Sequence, residues 1–160
     1  MTKAIDIFPR KIVVGAMGLP IKNGRKYLLT RRHAPGTPPW HNRWQIAGGA
    51  LEFGETPEEA MKRELKEELG VSATILYPLP VVKTSIWYAH ELEKKEDAQI
   101  ILITYLVDIG TQNVDVSKDD ETNKFGWFTY SEVGKLDSLP MTIEIVEEAE
   151  RIIKSHKLLQ

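Results

Sequence analysis

Three carboxylates stand close together in this chain at a spacing that matters. Glu64, Glu67 and Glu68 lie at i, i+3 and i+4, which on a helix brings them to one face. Seven glutamates fall between Glu52 and Glu68, although the net charge of the 160-residue chain is only −2. Like charges at helical spacing repel by roughly 0.2–0.5 kcal/mol per pair, so a face of this kind is stabilised by a cation. An all-oxygen donor set selects a hard cation, magnesium first and manganese next. Magnesium keeps waters and shares its shell with phosphates. The chemistry indicated is attack by an activated water on the phosphorus of a di- or triphosphate. The competing reading of a glutamate-rich helix is a merely solvated face.

These residues need a rigid platform, and the local sequence supplies one. Thr56 and Glu59 form a T-x-x-E capping box, with Pro57 at the first helical position and Gly70 placed to stop the helix. Met61, Leu65 and Leu69 form an apolar stripe that predicts burial. Arg63 cannot ligate a cation; its expected work is a charge-assisted hydrogen bond that orients a carboxylate, Glu55 being nearest. Gly48 and Gly49 would let the backbone approach closely, leaving the Gly48 carbonyl free to join a metal shell.

The rest of the chain reads as a mixed sheet with helices packed on it, an α/β (α+β) class, in one domain spanning residues 1–160. Strands are expected at Lys11–Met17 and Tyr27–Arg31, joined as a hairpin through Asn23-Gly24. A proline-broken loop runs from His33 to Arg43, and short extended pieces flank Gly48-Gly49. Ala73–Tyr88 is extended with a break at Pro78 and Pro80, Glu91–Asp97 is a charged turn, and Gln99–Val107 is a central strand. Lys124–Thr129 is a further strand, Ser131 opens a helical turn, and Met141–Lys157 is an amphipathic helix.

The spacing Gly49-x5-Glu55-x7-Arg63-Glu64-Leu65-x-Glu67-Glu68-x-Gly70-Val71 resembles the Nudix box at every fixed position. Nine such positions would agree by chance on the order of once in a million chains. The flank Trp44–Glu55 is also similar to the family, except that Ala47 stands where a proline is common. The resemblance implies an α/β/α sandwich, with the catalytic helix after the Gly-Gly loop and an amphipathic helix near the C-terminus. It implies that Glu64 and Glu68 ligate Mg2+ (or Mn2+), with Glu67 a ligand or base and the Gly48 carbonyl in the metal shell. It gives Glu55 and Arg63 an orienting role. Members often draw a further acid from a later loop; of Asp119, Asp120 and Glu121, Glu121 is the choice here, against a plain solvated loop acid.

Substrate choice must lie outside the box. Arg31 and Arg32 could hold phosphate, and Trp40 or Trp44 could stack on a base. The alternatives are core packing for Trp44 and a surface ion pair for Arg32. Tyr88 falls where members that cleave dinucleoside polyphosphates tend to carry a tyrosine. The proline associated with ADP-ribose cleavage is lacking, since Pro78 and Pro80 lie too early. The flank is most similar to members acting on nucleoside triphosphates, including modified ones. That makes a nucleotide the expected small-molecule partner, with monophosphate and pyrophosphate as products. Dinucleoside polyphosphates and nucleotide sugars are the alternatives. A non-catalytic ligand-binding module would be expected to lose box glutamates, and an isomerase of the isoprenoid type to use a cysteine.

Composition narrows the classes further. There is no cysteine, hence no thiolate chemistry or disulfide framework, which fits a cytoplasmic protein. Four scattered histidines make no zinc-spaced pair. No basic stripe suits a nucleic-acid duplex, and the longest apolar run, Ile100–Val107, is too short for a membrane span. Met1–Arg10 lacks an apolar targeting core. Many relatives dimerise, so a homodimer is the expected assembly to test.

Overall fold

The computed structural model describes residues 9–158 apart from Gly24, residues 80–82 and Glu93. Gly24 of the expected turn, Pro80 of the expected break and most of the opening segment therefore lie outside the described residues.

Two long strands run through the centre. β1 (Arg10–Lys22) and β7 (Asp97–Asp108) pair in parallel over Arg10–Pro20 and Asp97–Val107. The other edge of β7 takes β5 (Thr74–Pro78) and β6 (Lys83–Trp87), both antiparallel. The other edge of β1 takes β4 (Ala47–Ala50) along Gly15–Gly18, and β2 (Lys26–Arg32) at Ile21–Lys22. β2 then carries β3 (Trp44–Gln45) and β8 (Thr122–Thr129). β1 and β2 are antiparallel neighbours as expected, but they pair only at Ile21 and Lys22, beyond the expected Lys11–Met17, which pairs with β7 and in part with β4. Leu19 and Ile21, both buried, lie in the part of β1 that extends beyond the expected Lys11–Met17.

Helices cover both faces. α1 (Pro57–Leu69) packs with Ala16, Leu28 and Val107 into one apolar cluster. α4 (Thr142–His156) packs Ile145, Val146, Ala149, Ile152 and Ile153 with Leu19, Tyr27 and Leu106 into the other. This is an α/β/α sandwich around a mixed, open sheet. α4 matches the expected amphipathic helix within one residue at each end; Met141 and Lys157 become its two caps, both left-handed. The expected charged turn at Glu91–Asp97 differs. The segment holds a short helix, α2 (Ala89–Leu92), and Asp97 already begins β7. The cause is local, because the Asp97 carboxylate accepts the Ala89 N–H at 2.9 Å and so caps the helical turn. The turn expected to open at Ser131 is α3 (Tyr130–Val133), capped one residue earlier by Thr129.

α1 forms as its ends dictate. The Thr56 hydroxyl accepts the Glu59 N–H at 3.2 Å, and the Glu59 carboxylate accepts the Thr56 N–H at 2.8 Å. Met61, Leu65 and Leu69 are fully buried, which fixes the rotation of the helix and hence where its glutamates point. Truncating the middle anchor, Leu65→Ala, is predicted to destabilise the protein by about 2–5 kcal/mol through the cavity it leaves, measured by urea denaturation.

Candidate active site

With the apolar stripe of α1 facing the sheet, Glu64 and Glu68 flank it on the side next to β4. The closest approach is at Gly49. A Cβ on Gly49 would come within 2.5 Å of the Glu64 carboxylate, so only a hydrogen at that position leaves the carboxyl its place. Gly48 sits at φ 138°, and a Cβ there would meet the Ala16 carbonyl oxygen at 2.4 Å. Its N–H donates to Glu68 at 3.2 Å. The Gly-Gly pair thus serves both glutamates directly.

Arg63 orients the rest. Its Nε and Nη2 donate to the two oxygens of Glu55 at 2.7 and 3.0 Å, a bidentate clamp. Its Nη1 donates to Glu64 at 2.7 Å and to Glu67 at 3.4 Å. Bonds from Arg63, together with the Glu52 N–H at 3.0 Å, hold the Glu55 carboxyl down at about 2. The bonds to Glu55 and then Glu64 in turn push the Arg63 guanidinium further up. The structure thus brings Glu55 and Arg63, the pair expected from sequence, into direct contact.

The carboxylates are not all alike. Burial raises Glu64 despite its bond to Arg63. Glu68 is pushed up to about 8, first by burial, then by the charge of Asp119, with Glu64 adding to it. The Gly48 N–H and Arg32 pull the other way. Asp119 comes from the loop before β8, and its Oδ2 is buried without a hydrogen-bond partner among the described residues. The sequence placed an acid in this loop but favoured Glu121. Glu121 instead spends an oxygen on Arg32, at 3.0 Å, while Asp119 acts on Glu68.

Among the described residues no three acidic or histidine side chains already converge on one cation point. The physical reason is Arg63, which draws Glu64 and Glu67 toward itself, while Glu68 turns to Gly48. The donor set nevertheless suits magnesium, which takes one or two protein carboxylates and completes its shell with water and phosphate. Glu64, Glu68 and Glu67, with the Gly48 carbonyl, are the residues that would hold it. The hydrogen-sized gap at Gly49 and the orphaned Asp119 oxygen are what such a site leaves when built for a cation.

These groups open on a cavity of about 530 Å³. Glu64, Glu67, Glu68, Asp119, Glu121 and Arg32 form its charged wall, with the Gly48–Ala50 backbone beside them. The remaining wall is largely apolar, from Trp87, Ile100, Leu102, Leu139 and Ile145, with Gln45 and Thr142 among them. Of the residues expected at the substrate, only Arg32 lines this cavity. Trp40 stands behind the wall, its ring 4.4 Å from that of Trp87. Trp44 packs edge-on against Phe128 at 4.8 Å, the core-packing alternative. Arg31 is turned to Asn123, at 2.9 Å. Tyr88 lies on a separate recess with Arg10, Lys11 and Ile12. Sequence reasoning passed over Gln45 and the role of Trp87. The one signal for Gln45 is a polar residue directly before the apolar pair Ile46-Ala47.

A capped glutamate helix, clamped by its own arginine under a Gly-Gly strand in an α/β/α sandwich, defines a hydrolase of phosphoanhydride bonds. The chain belongs to the NUDIX domain family, whose model matches residues 11–148. It is 31% identical over 117 residues to the nucleoside triphosphatase NudI of Enterobacter sp. (strain 638), covering 73% of this chain and 82% of that one. The counterpart from Salmonella newport (strain SL254) is 27% identical over the same shares. Among solved structures, a MutT NUDIX hydrolase from Burkholderia pseudomallei superposes with a TM-score of 0.70 at 24% identity. That match covers 86% of this chain and 98% of the other. The MutT protein of Methanosarcina mazei gives 0.67 at 21% identity, covering 92% and 97%. These two likenesses bear on the fold alone. No helix among the described residues is long and apolar enough to cross a membrane.

Two predictions follow from the geometry. The three atoms nearest a Cβ at Gly49→Ala all belong to the far end of the Glu64 side chain. The substitution is expected to cost activity at least tenfold, about 1.4 kcal/mol in barrier, while shifting the melting temperature little. Glu68 tests the electrostatics. Its carboxyl titrates near 4.5 when unfolded and about 8 when folded, so its stabilising contribution is present below pH 4.5 and is lost as pH rises through 8. In EDTA, Glu68→Gln should therefore gain in melting temperature over the wild type between pH 5 and 8.5. A constant difference across that range would refute the assignment.

Proposed function

We propose that the protein hydrolyses nucleoside triphosphates, modified ones included, to the monophosphate and pyrophosphate, with magnesium as cofactor and manganese as substitute. The observation that carries this reading is that Glu64, Glu67, Glu68 and Asp119 line one cavity together with Arg32 and the Gly48–Ala50 backbone. The resemblance to nucleoside triphosphatases supports the substrate class.

The residues divide the work. Glu64 and Glu68, with the Gly48 carbonyl, would hold the cation, and Arg63 keeps Glu55 and Glu64 in place for it. When bound, the cation neutralises the anhydride oxygens and lowers the pKa of a water. Arg32, already beside the charged wall, offers a donor to a phosphate oxygen once Glu121 releases it. The attacking water's oxygen bonds to a phosphorus and the bridging oxygen departs with the other phosphate. The water's proton passes to a carboxylate of this wall. Asp119, with its unpartnered Oδ2, serves better than Glu121, and Glu67 is the alternative on the helix.

The test is turnover of a nucleotide panel with magnesium, following pyrophosphate and phosphate, with dinucleoside polyphosphates and nucleotide sugars included. Pyrophosphate release from at least one triphosphate is expected. Glu68→Gln should lose more than the roughly 10–100-fold that follows loss of an outer-shell partner. Pyrophosphate release undiminished in Glu68→Gln, or none from any triphosphate, would overturn this reading.

A further inference from the structure

Among the described residues, Arg32 is the only basic side chain that lines the cavity. Its hydrogen bonding is incomplete. Nε and Nη2 form one edge of a guanidinium, the edge by which Arg63 grips both oxygens of Glu55. In Arg32 only Nη2 is engaged, by Glu121 at 3.0 Å. Its Nε is buried with no hydrogen-bond partner among the described residues. The Glu121 side chain is 66% exposed, so this single ion pair is a weak tether. A phosphate that takes the same edge displaces even that. The arm therefore needs a second restraint, one that spends none of its N–H donors.

Trp40 meets that need. The Arg32 guanidinium carbon lies over the Trp40 ring, 5.4 Å from its centroid, within the range of a cation–π contact. Such a contact acts through the charge and the ring face, and it leaves the five N–H donors free. A carboxylate in the same place would compete for them. Trp40 is itself fixed from two sides. Its ring lies 4.4 Å from that of Trp87. Its loop doubles back on Arg32: Asn42 N–H donates to the Arg32 carbonyl at 2.8 Å, and Arg32 N–H donates to the Arg43 carbonyl at 2.9 Å. Trp40 N–H donates at 2.9 Å to the carbonyl of Thr37, which is buried. The Lys94 ammonium stands 5.8 Å from the same centroid, a second cation on the ring.

We propose that Trp40 is a positioning residue for Arg32: its ring holds the guanidinium at the cavity wall, so that the Nε–Nη2 edge is presented to a phosphate when Glu121 gives way. This rests on the proposed hydrolase reading, in which Arg32 meets a phosphate oxygen. The tryptophan then serves the phosphate end of the substrate without touching it.

The test measures binding of pyrophosphate with magnesium by titration calorimetry on the full chain, beside KM for a triphosphate that the wild type turns over. Melting temperatures check folding. Pyrophosphate carries no base, so a change transmitted through Trp87 to the apolar wall would leave its binding unmoved. Trp40→Leu and Trp40→Met keep apolar bulk but remove the ring. Each should weaken pyrophosphate binding roughly fivefold and raise KM by a similar factor. Trp40→Phe restores a ring face and should stay within about twofold of the wild type. In an Arg32→Ala background, Trp40→Leu should change neither value further, because the residue it acts through is gone. A role in packing alone, or one exerted through Lys94, would add the same loss in both backgrounds. That result overturns the proposal and leaves the hydrolase reading standing, as does full pyrophosphate binding in both Trp40→Leu and Trp40→Met. If the wild type turns over no triphosphate, the hydrolase reading falls and the role of Trp40 falls with it.

Discussion

Arg63 reaches Glu55, Glu64 and Glu67 with charge-assisted hydrogen bonds and stands 4.0 Å from Glu52. Without it, several carboxylates on adjacent turns would share a partly desolvated space with no counter-charge, and the helix would be stabilised only by splaying them into water. The guanidinium also reaches the Ala50 carbonyl at 3.2 Å, so the arginine joins the helix to the strand it faces. The positions of the Gly48–Ala50 backbone, of Glu64 over Gly49 and of Glu68 against Gly48 follow from that junction. A lysine could not replace it, because the bidentate grip on Glu55 needs a planar fork.

The charge distribution separates two kinds of glutamate, one just before the helix and one on it. Glu55, held near 2 by its donors, is a fixed anion that anchors the arginine. Glu68, shielded and facing Asp119, is raised to about 8 and carries a proton at neutral pH whenever no other positive charge is near. A proton on Glu68 removes its repulsion with Asp119 and Glu64, so the crowding of acids at this point of the helix is eased without splaying the side chains apart.

Much of this could be read from the residues alone. The capping box, the stripe Met61–Leu65–Leu69 and the carboxylate spacing specify α1 because each depends on near neighbours in sequence. The pairing of Arg63 with Glu55 was legible for the same reason. What was not legible depends on packing between distant segments. Trp44 and Arg31 could not be assigned until β8 supplied Phe128 and Asn123, and Tyr88 could not be excluded from the cavity until β6 turned it away. The contact that ties Glu121 to Arg32, nearly ninety residues earlier, was equally out of reach. Gln45 went unnoticed because an isolated polar residue in a two-residue strand has no periodicity to betray it.

The parallel pairing of β1 with β7 carries a consequence for how the molecule is made. These strands are roughly ninety residues apart in the chain, with the box helix and six other elements between them. α1 can begin to form as soon as it is synthesised, but the strand that carries Gly48 and Gly49 is seated on β1, and β1 is held on its other edge by β7. Non-local closure of that kind is entropically slow. The glutamates therefore exist as a helix well before they exist as a site, and on the ribosome the chain is an acidic peptide first and an enzyme only after β7 has emerged.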